Sequence, residues 1–179
     1  MSTKLFTAYH EAGHAYISYC LGKGFKEVTV IAADDYLGAV TNLVDGKFLG
    51  SLIDGSNTHV LPEEVIKTRI NHELMILYAG YLSELKCGVR NEEGAYSDIN
   101  KINSFIKGYC ETEEDSHNII DYCYNTTLQI LEQNWLYVKI LANELLKRDT
   151  MSFQEIDELF KNVNFNNLTE LKELENQLK

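Results

Sequence analysis

The stretch that decides the reading is residues 8–20, AYHEAGHAYISYC. It lies within a run from Lys4 to Leu21 whose apolar residues Leu5, Ala8, Ala12, Ala15 and Tyr19 recur at close to helical spacing. Ser2 or Thr3 can cap such a helix, and Gly22 and Gly24 end it. Residues four apart on a helix point the same way, one turn above the other, so His10 and His14 can offer two imidazoles to one ion. Glu11 sits about 100° round from His10. That is too far to share the ion and near enough to reach a water bound to it. Two ligands and one general base on one helix make the His-Glu-x-x-His pattern. The plain alternative is an amphipathic helix that carries two histidines by chance. Gly13 inside a helix costs about 0.5–1 kcal/mol relative to alanine, and close packing at a site would offset that cost.

A catalytic zinc takes three protein ligands and keeps a further position open, and the helix supplies two. After His14 the chain reads AYISYCLGKG, without the third histidine of longer zinc-protease motifs. His59, His72, His117, Glu73, Glu84 and Asp98 remain as candidates. Asp98 follows Ser97 at the expected start of a helix, where the dipole and free backbone N–H groups favour an ionised carboxylate. Its ordinary alternative role is to help start that helix. Glu73 and Glu84 fall inside a long helix and read as solvated acids or as acceptors that orient a ligating histidine.

Outward from the histidine helix, KEVTVIAA (Lys26–Ala33) and YLGAVTNL (Tyr36–Leu43) read as an antiparallel pair turning at Asp34 and Asp35. Asp45 to Asn57 reads as loop. Pro62, Glu63 and Glu64 open a long helix to about Lys86, which Gly88 stops. A loop, VRNEEGAY, precedes a helix at DINKINSFIKGYC. Helices are expected over Glu113–Lys147 and over Ser152–Lys161, the latter opened by Ser152 and Glu155 in capping-box order. The expected fold is α+β, mainly helical, with a small β element in the N-terminal third. A domain over residues 1–165 would be followed by a tail, 166–179, with leucines at helical spacing.

The chain has 179 residues, enough to bury a core, and a formal charge of −11. That charge repels phosphate backbones, so nucleic acid is not an expected partner. The longest strongly apolar stretch, Leu74 to Leu82, is far short of the roughly 20 residues that span a bilayer, and no signal peptide is visible. Cys20, Cys87, Cys110 and Cys123 show no metal-type spacing and read as free, mostly buried thiols of a cytoplasmic protein.

Taken together, these motifs resemble the peptidase domain of FtsH-type ATP-dependent zinc proteases. AYHEAGHA (8–15) is similar to that family's zinc helix, and VTVIAADDYLGAVTNL (28–43) to its next two strands, with the same Leu-Gly step. LYAGYLSEL (77–85) is similar to its LLGGRAAEEL helix, and LLKRDTMSFQEIDELF (145–160) to the end of its helical region. GAYSDINKIN (94–103) resembles GASNDLEKAT, whose aspartate is the third zinc ligand. The resemblance thus implies Zn²⁺ held by His10, His14 and Asp98, Glu11 as the base, and peptide hydrolysis. Substrate would lie extended along Leu37, Gly38, Ala39 and Val40, and Glu84 would orient a ligating histidine. It departs at residues 33–35, acidic where the family has an Arg-Gly pair, and in showing no nucleotide-binding Walker sequence. The expectation is a stand-alone chain that cleaves peptides or unfolded proteins, as a homo-oligomer or with a separate ATPase partner. Its alternatives are a zinc-binding scaffold without activity and a helical interaction protein without metal.

Overall fold

The computed structural model describes residues 3–32, 38–42, 62–88 and 92–163. Among them the chain forms α1 (Thr3–Cys20), β1 (Phe25–Thr29), β2 (Ala39–Asn42), α2 (Glu63–Lys86) and α3 (Glu92–Tyr109). These are followed by α4 (Glu113–Gln133), α5 (Trp135–Arg148), β3 (Thr150–Ser152) and α6 (Phe153–Lys161). The architecture is mainly helical with one small antiparallel sheet in the order β2-β1-β3. The expected tail over 166–179 lies outside the described residues.

α1 is the centre of the fold. Its apolar spacing suggests one buried face, yet every residue from Thr7 to Ser18 is buried. The reason is its position: α2 and α5 pack against it, and β1, β2 and α4 close the remaining sides. A helix covered all round must satisfy any polar group it carries internally. The contact with α2 is close because small residues meet there. A Cβ on Gly13 would lie 2.5 Å from the Ala79 carbonyl oxygen and would overlap the Ser83 hydroxyl. Gly13 is therefore the point where the two helices touch. Gly22, at φ +68°, ends α1 in a left-handed conformation that glycine adopts without strain.

Four boundaries differ from the sequence reading. First, α3 starts at Glu92, ahead of Ser97. Asp98 therefore lies inside the helix, away from its dipole end. Second, the helix expected over Glu113–Lys147 breaks at Asn134 (φ −126°, ψ 20°), whose side-chain amide donates to the Ile130 carbonyl. α4 packs on α2 and α5 on α1, and one straight helix could not cover both. Third, a short strand, β3, pairs with β1 through Val28↔Met151 and Thr29↔Thr150. It is too short to show a period and exists because the far edge of β1 needs a partner. Asp149, at φ 63°, turns the chain from α5 into β3, and its carbonyl accepts the Val30 N–H at 2.9 Å. Fourth, β1 ends at Thr29 and β2 begins at Ala39, so both strands are shorter than expected. Pro62 occupies the N-cap of α2, just outside its first turn. The Ser152–Glu155 capping box is present on α6.

The cysteines are all free, but only Cys123 is buried, and Cys20 is exposed. Burial pushes the Cys123 thiol up to about 12, which makes it a poor nucleophile at neutral pH.

Candidate metal centre

The side chains of His10, Glu11, His14, Glu84 and Asp98 are drawn together from α1, α2 and α3, and all are nearly inaccessible, at 7, 5, 8, 1 and 4% exposure. Each histidine is held by its Nδ1. His10 donates to Glu84 Oε1 at 2.8 Å, and His14 donates to the Ile76 carbonyl at 2.6 Å. A carbonyl only accepts, so the Nδ1 of His14 carries its proton, and a neutral ring is left with a bare lone pair on Nε2. The Glu84 carboxylate sets the same tautomer on His10.

Those two Nε2 atoms point at each other, 2.8 Å apart. Asp98 Oδ2 completes a triangle with them, 3.1 Å from His10 Nε2 and 2.9 Å from His14 Nε2. The rings meet edge to face, with an interplanar angle of 84°. Three such atoms crowded into one buried space can be reconciled by a shared proton or by a metal cation, and the trio is placed so that it could hold an ion. Two imidazole nitrogens and one carboxylate oxygen are the donor set of a catalytic zinc. Among the described residues, no other trio of His, Cys, Asp or Glu is placed to hold an ion. Of the other sequence candidates, Glu73 pairs with Lys23 and His117 with Asp121. His72 is half-buried, its pKa lowered by burial and by Lys23. His59 lies outside the described residues.

The electrostatics follow from the crowding. Burial alone would lower the His10 pKa, but hydrogen bonds to Asp98 and Glu84 outweigh it and raise the value to about 10. Burial alone would raise that of Asp98, but His14 and His10 hold its carboxyl well below the usual carboxylate range. Asp98 therefore owes its ionised state to the histidines, in place of the helix terminus that its sequence position suggests. Burial raises the Glu11 pKa, against the pull of His14 and His10. A carboxyl moved toward neutral pH in this way suits a group that must take up a proton and release it.

Three contributors carry no motif of their own. Gly80 faces the histidines: a Cβ there would lie 2.6 Å from His10 Cε1 and 2.6 Å from His14 Nε2. Ile76, Gly80 and Glu84 recur every four residues and so form one stripe of α2, and a glycine in mid-helix within that stripe is the signal that could have marked it. The second contributor is the Ile76 carbonyl, which no side-chain pattern reveals. The third is Lys101, one turn beyond Asp98, whose Nζ donates to Asp98 Oδ1 at 3.1 Å.

The sheet comes close to the same spot. A Cβ on Gly38 would lie 2.5 Å from Thr7 Cγ2 and 2.9 Å from Glu11 Cγ, so the chain entering β2 passes directly over the Glu11 side chain. Ala39 and Val40 follow within β2, and Leu37 lies outside the described residues. β1 pairs with one edge of β2, and among the described residues no strand pairs with the other. No helix among these residues is long and apolar enough to cross a membrane.

No protein-family model matches the chain. It is 26% identical over 191 residues to the ATP-dependent zinc metalloprotease FtsH of Chloroflexus aggregans (strain MD-66 / DSM 9485). That alignment covers 89% of this chain but only 29% of the relative, so the chain spans less than a third of that protein's length. The likeness supports an FtsH-like relationship at most, and the His-His-Asp cluster is a possible metal site.

Proposed function

We propose that the chain is a zinc-dependent endopeptidase in which His10, His14 and Asp98 hold the metal and Glu11 is the general base. The observation that carries this reading is the triangle of two Nε2 atoms and Asp98 Oδ2, closed in at 2.8, 2.9 and 3.1 Å. When bound, zinc would polarise the scissile carbonyl and acidify a water at its open position. Glu11 would accept a proton from the attacking water and pass it to the leaving amine. Glu84 and the Ile76 carbonyl keep both imidazoles in the tautomer that ligation requires.

Substrate binds as an extended segment along Gly38, Ala39 and Val40, using for main-chain hydrogen bonds the edge of β2 that no strand among the described residues pairs with. Such binding reads backbone more than side chains, so cleavage is broad in sequence. Peptides and unstructured segments are the substrates this site takes by itself, since a bond inside a folded domain cannot lie along a strand edge. Delivery of folded proteins would require a partner ATPase, and assembly into a homo-oligomer would place several such sites together.

The test is cleavage of an unfolded protein such as casein, alongside elemental analysis. About one zinc per chain is expected, with hydrolysis lost on chelation and restored by Zn²⁺. Bound zinc without any hydrolysis would point instead to a scaffold that has kept the metal and lost the chemistry. Purified protein without metal, and with no affinity for it, would overturn the reading.

A further inference from the structure

Both oxygens of Asp98 are engaged. Oδ2 faces the two imidazoles, while Oδ1 accepts a hydrogen bond from Lys101 Nζ at 3.1 Å. The two residues are one helical turn apart on α3, so the contact is built into the helix. Asp98 is buried whereas the Lys101 side chain is 57% exposed. The ammonium therefore approaches from the solvent side, beside a groove lined by Ser97, Asn100, Lys101, Ser104 and Phe105.

A carboxylate can bind a metal through one oxygen or chelate it through two. Chelation by Asp98 would require Oδ1 to turn inward and leave Lys101. It would also occupy coordination space that a hydrolytic site must leave for water. Charge points the same way. Glu11, Glu84 and Asp98 bring three buried carboxyl groups to a site meant for a dication. One further positive charge balances them, and Lys101 supplies it at contact distance.

We propose that Lys101 is a positioning residue that holds Asp98 to ligation through Oδ2 alone and so keeps a coordination position open for water. The inference rests on the metal-site reading above. It concerns how the ligand is presented, and it is separable from whether metal binds at all.

Cobalt(II) in place of zinc provides the readout, because four-coordinate cobalt absorbs visible light more strongly than five-coordinate cobalt. Lys101→Met is expected to take up cobalt with a weakened, five-coordinate spectrum and to lose about 10–100-fold in peptide cleavage. Lys101→Arg, which keeps the cation, is expected to retain the wild-type spectrum and most of the activity. Lys101→Gln serves as a second neutral variant should the methionine at this half-solvated position perturb folding. A wild-type cobalt spectrum in folded Lys101→Met or Lys101→Gln would overturn the proposal while leaving the metal site intact. Wild-type protein that takes up no cobalt would overturn the metal-site reading and this proposal with it.

Discussion

His10 and His14 turn their Nε2 atoms toward each other at 2.8 Å while both Nδ1 protons are committed elsewhere, to Glu84 and to the Ile76 carbonyl. The contacts on α2 occupy both Nδ1 atoms and turn both Nε2 atoms toward Asp98.

Glu11 is the group expected to separate binding from chemistry. Glu11→Gln removes the proton acceptor but changes none of the three ligand atoms. Cleavage should fall by about 10²–10⁴-fold, with zinc content unchanged. Parallel assay of hydrolysis and bound metal checks this, and full activity in the variant would eliminate Glu11 as the base.

Glu84 acts through His10. Glu84→Ala leaves the His10 Nδ1–H without its buried acceptor and frees the ring to change tautomer. Zinc affinity should drop about 10–100-fold, measured by competition with a chromophoric chelator. An unchanged affinity would show that the contact does not orient the ligand.

Gly80 makes the space in which the imidazoles sit. Gly80→Ala gains about 1 kcal/mol of helix propensity, yet its new methyl falls 2.6 Å from both His10 Cε1 and His14 Nε2. Overpacking of this kind costs about 1–3 kcal/mol, so the metal-free variant should show no net gain in urea and should bind zinc at least about tenfold more weakly. A stabilised variant with normal metal affinity would show that α2 can move away from the rings without consequence.

The charges of the metal-free site set a pH window. The His10 pKa is raised from its ordinary 6.5 to about 10, so its contribution to stability is fully present below pH 6.5 and is lost as pH rises through about 10. The Asp98 pKa is lowered from its ordinary 3.8, so its contribution is present above that value and is lost as pH falls beneath it. These two groups together favour the metal-free fold between about pH 4 and 6.5. Zinc must displace the His10 proton, so its apparent affinity should weaken as pH falls. Thermal melts with and without zinc would test both trends: the zinc-induced rise in Tm should grow from about pH 6 to about pH 9.

The histidine helix, the antiparallel strand pair, the long helix from Pro62 and the capping box at Ser152 were legible because each depends on neighbours in sequence. Spacing along α1 was enough to align His10 with His14 and to place Glu11 to one side. Short-range rules failed where an element exists for the benefit of another. β3 forms to complete the far edge of β1, and the break at Asn134 lets α4 and α5 cover different helices.

What the sequence by itself determined was a set of residue types and helical phases: two imidazoles on one face, a carboxyl beside them, a glycine at each point of close approach. What only the tertiary structure decided was their protonation and convergence. The long-range packing of α2 on α1 selects each histidine's tautomer through Glu84 and Ile76, and α3 carries Asp98 to the remaining side. Those contacts span 62 and 74 positions of chain. No local pattern encodes such distances, because they come from burying an apolar core around α1, and the polar atoms enclosed with it must then satisfy one another.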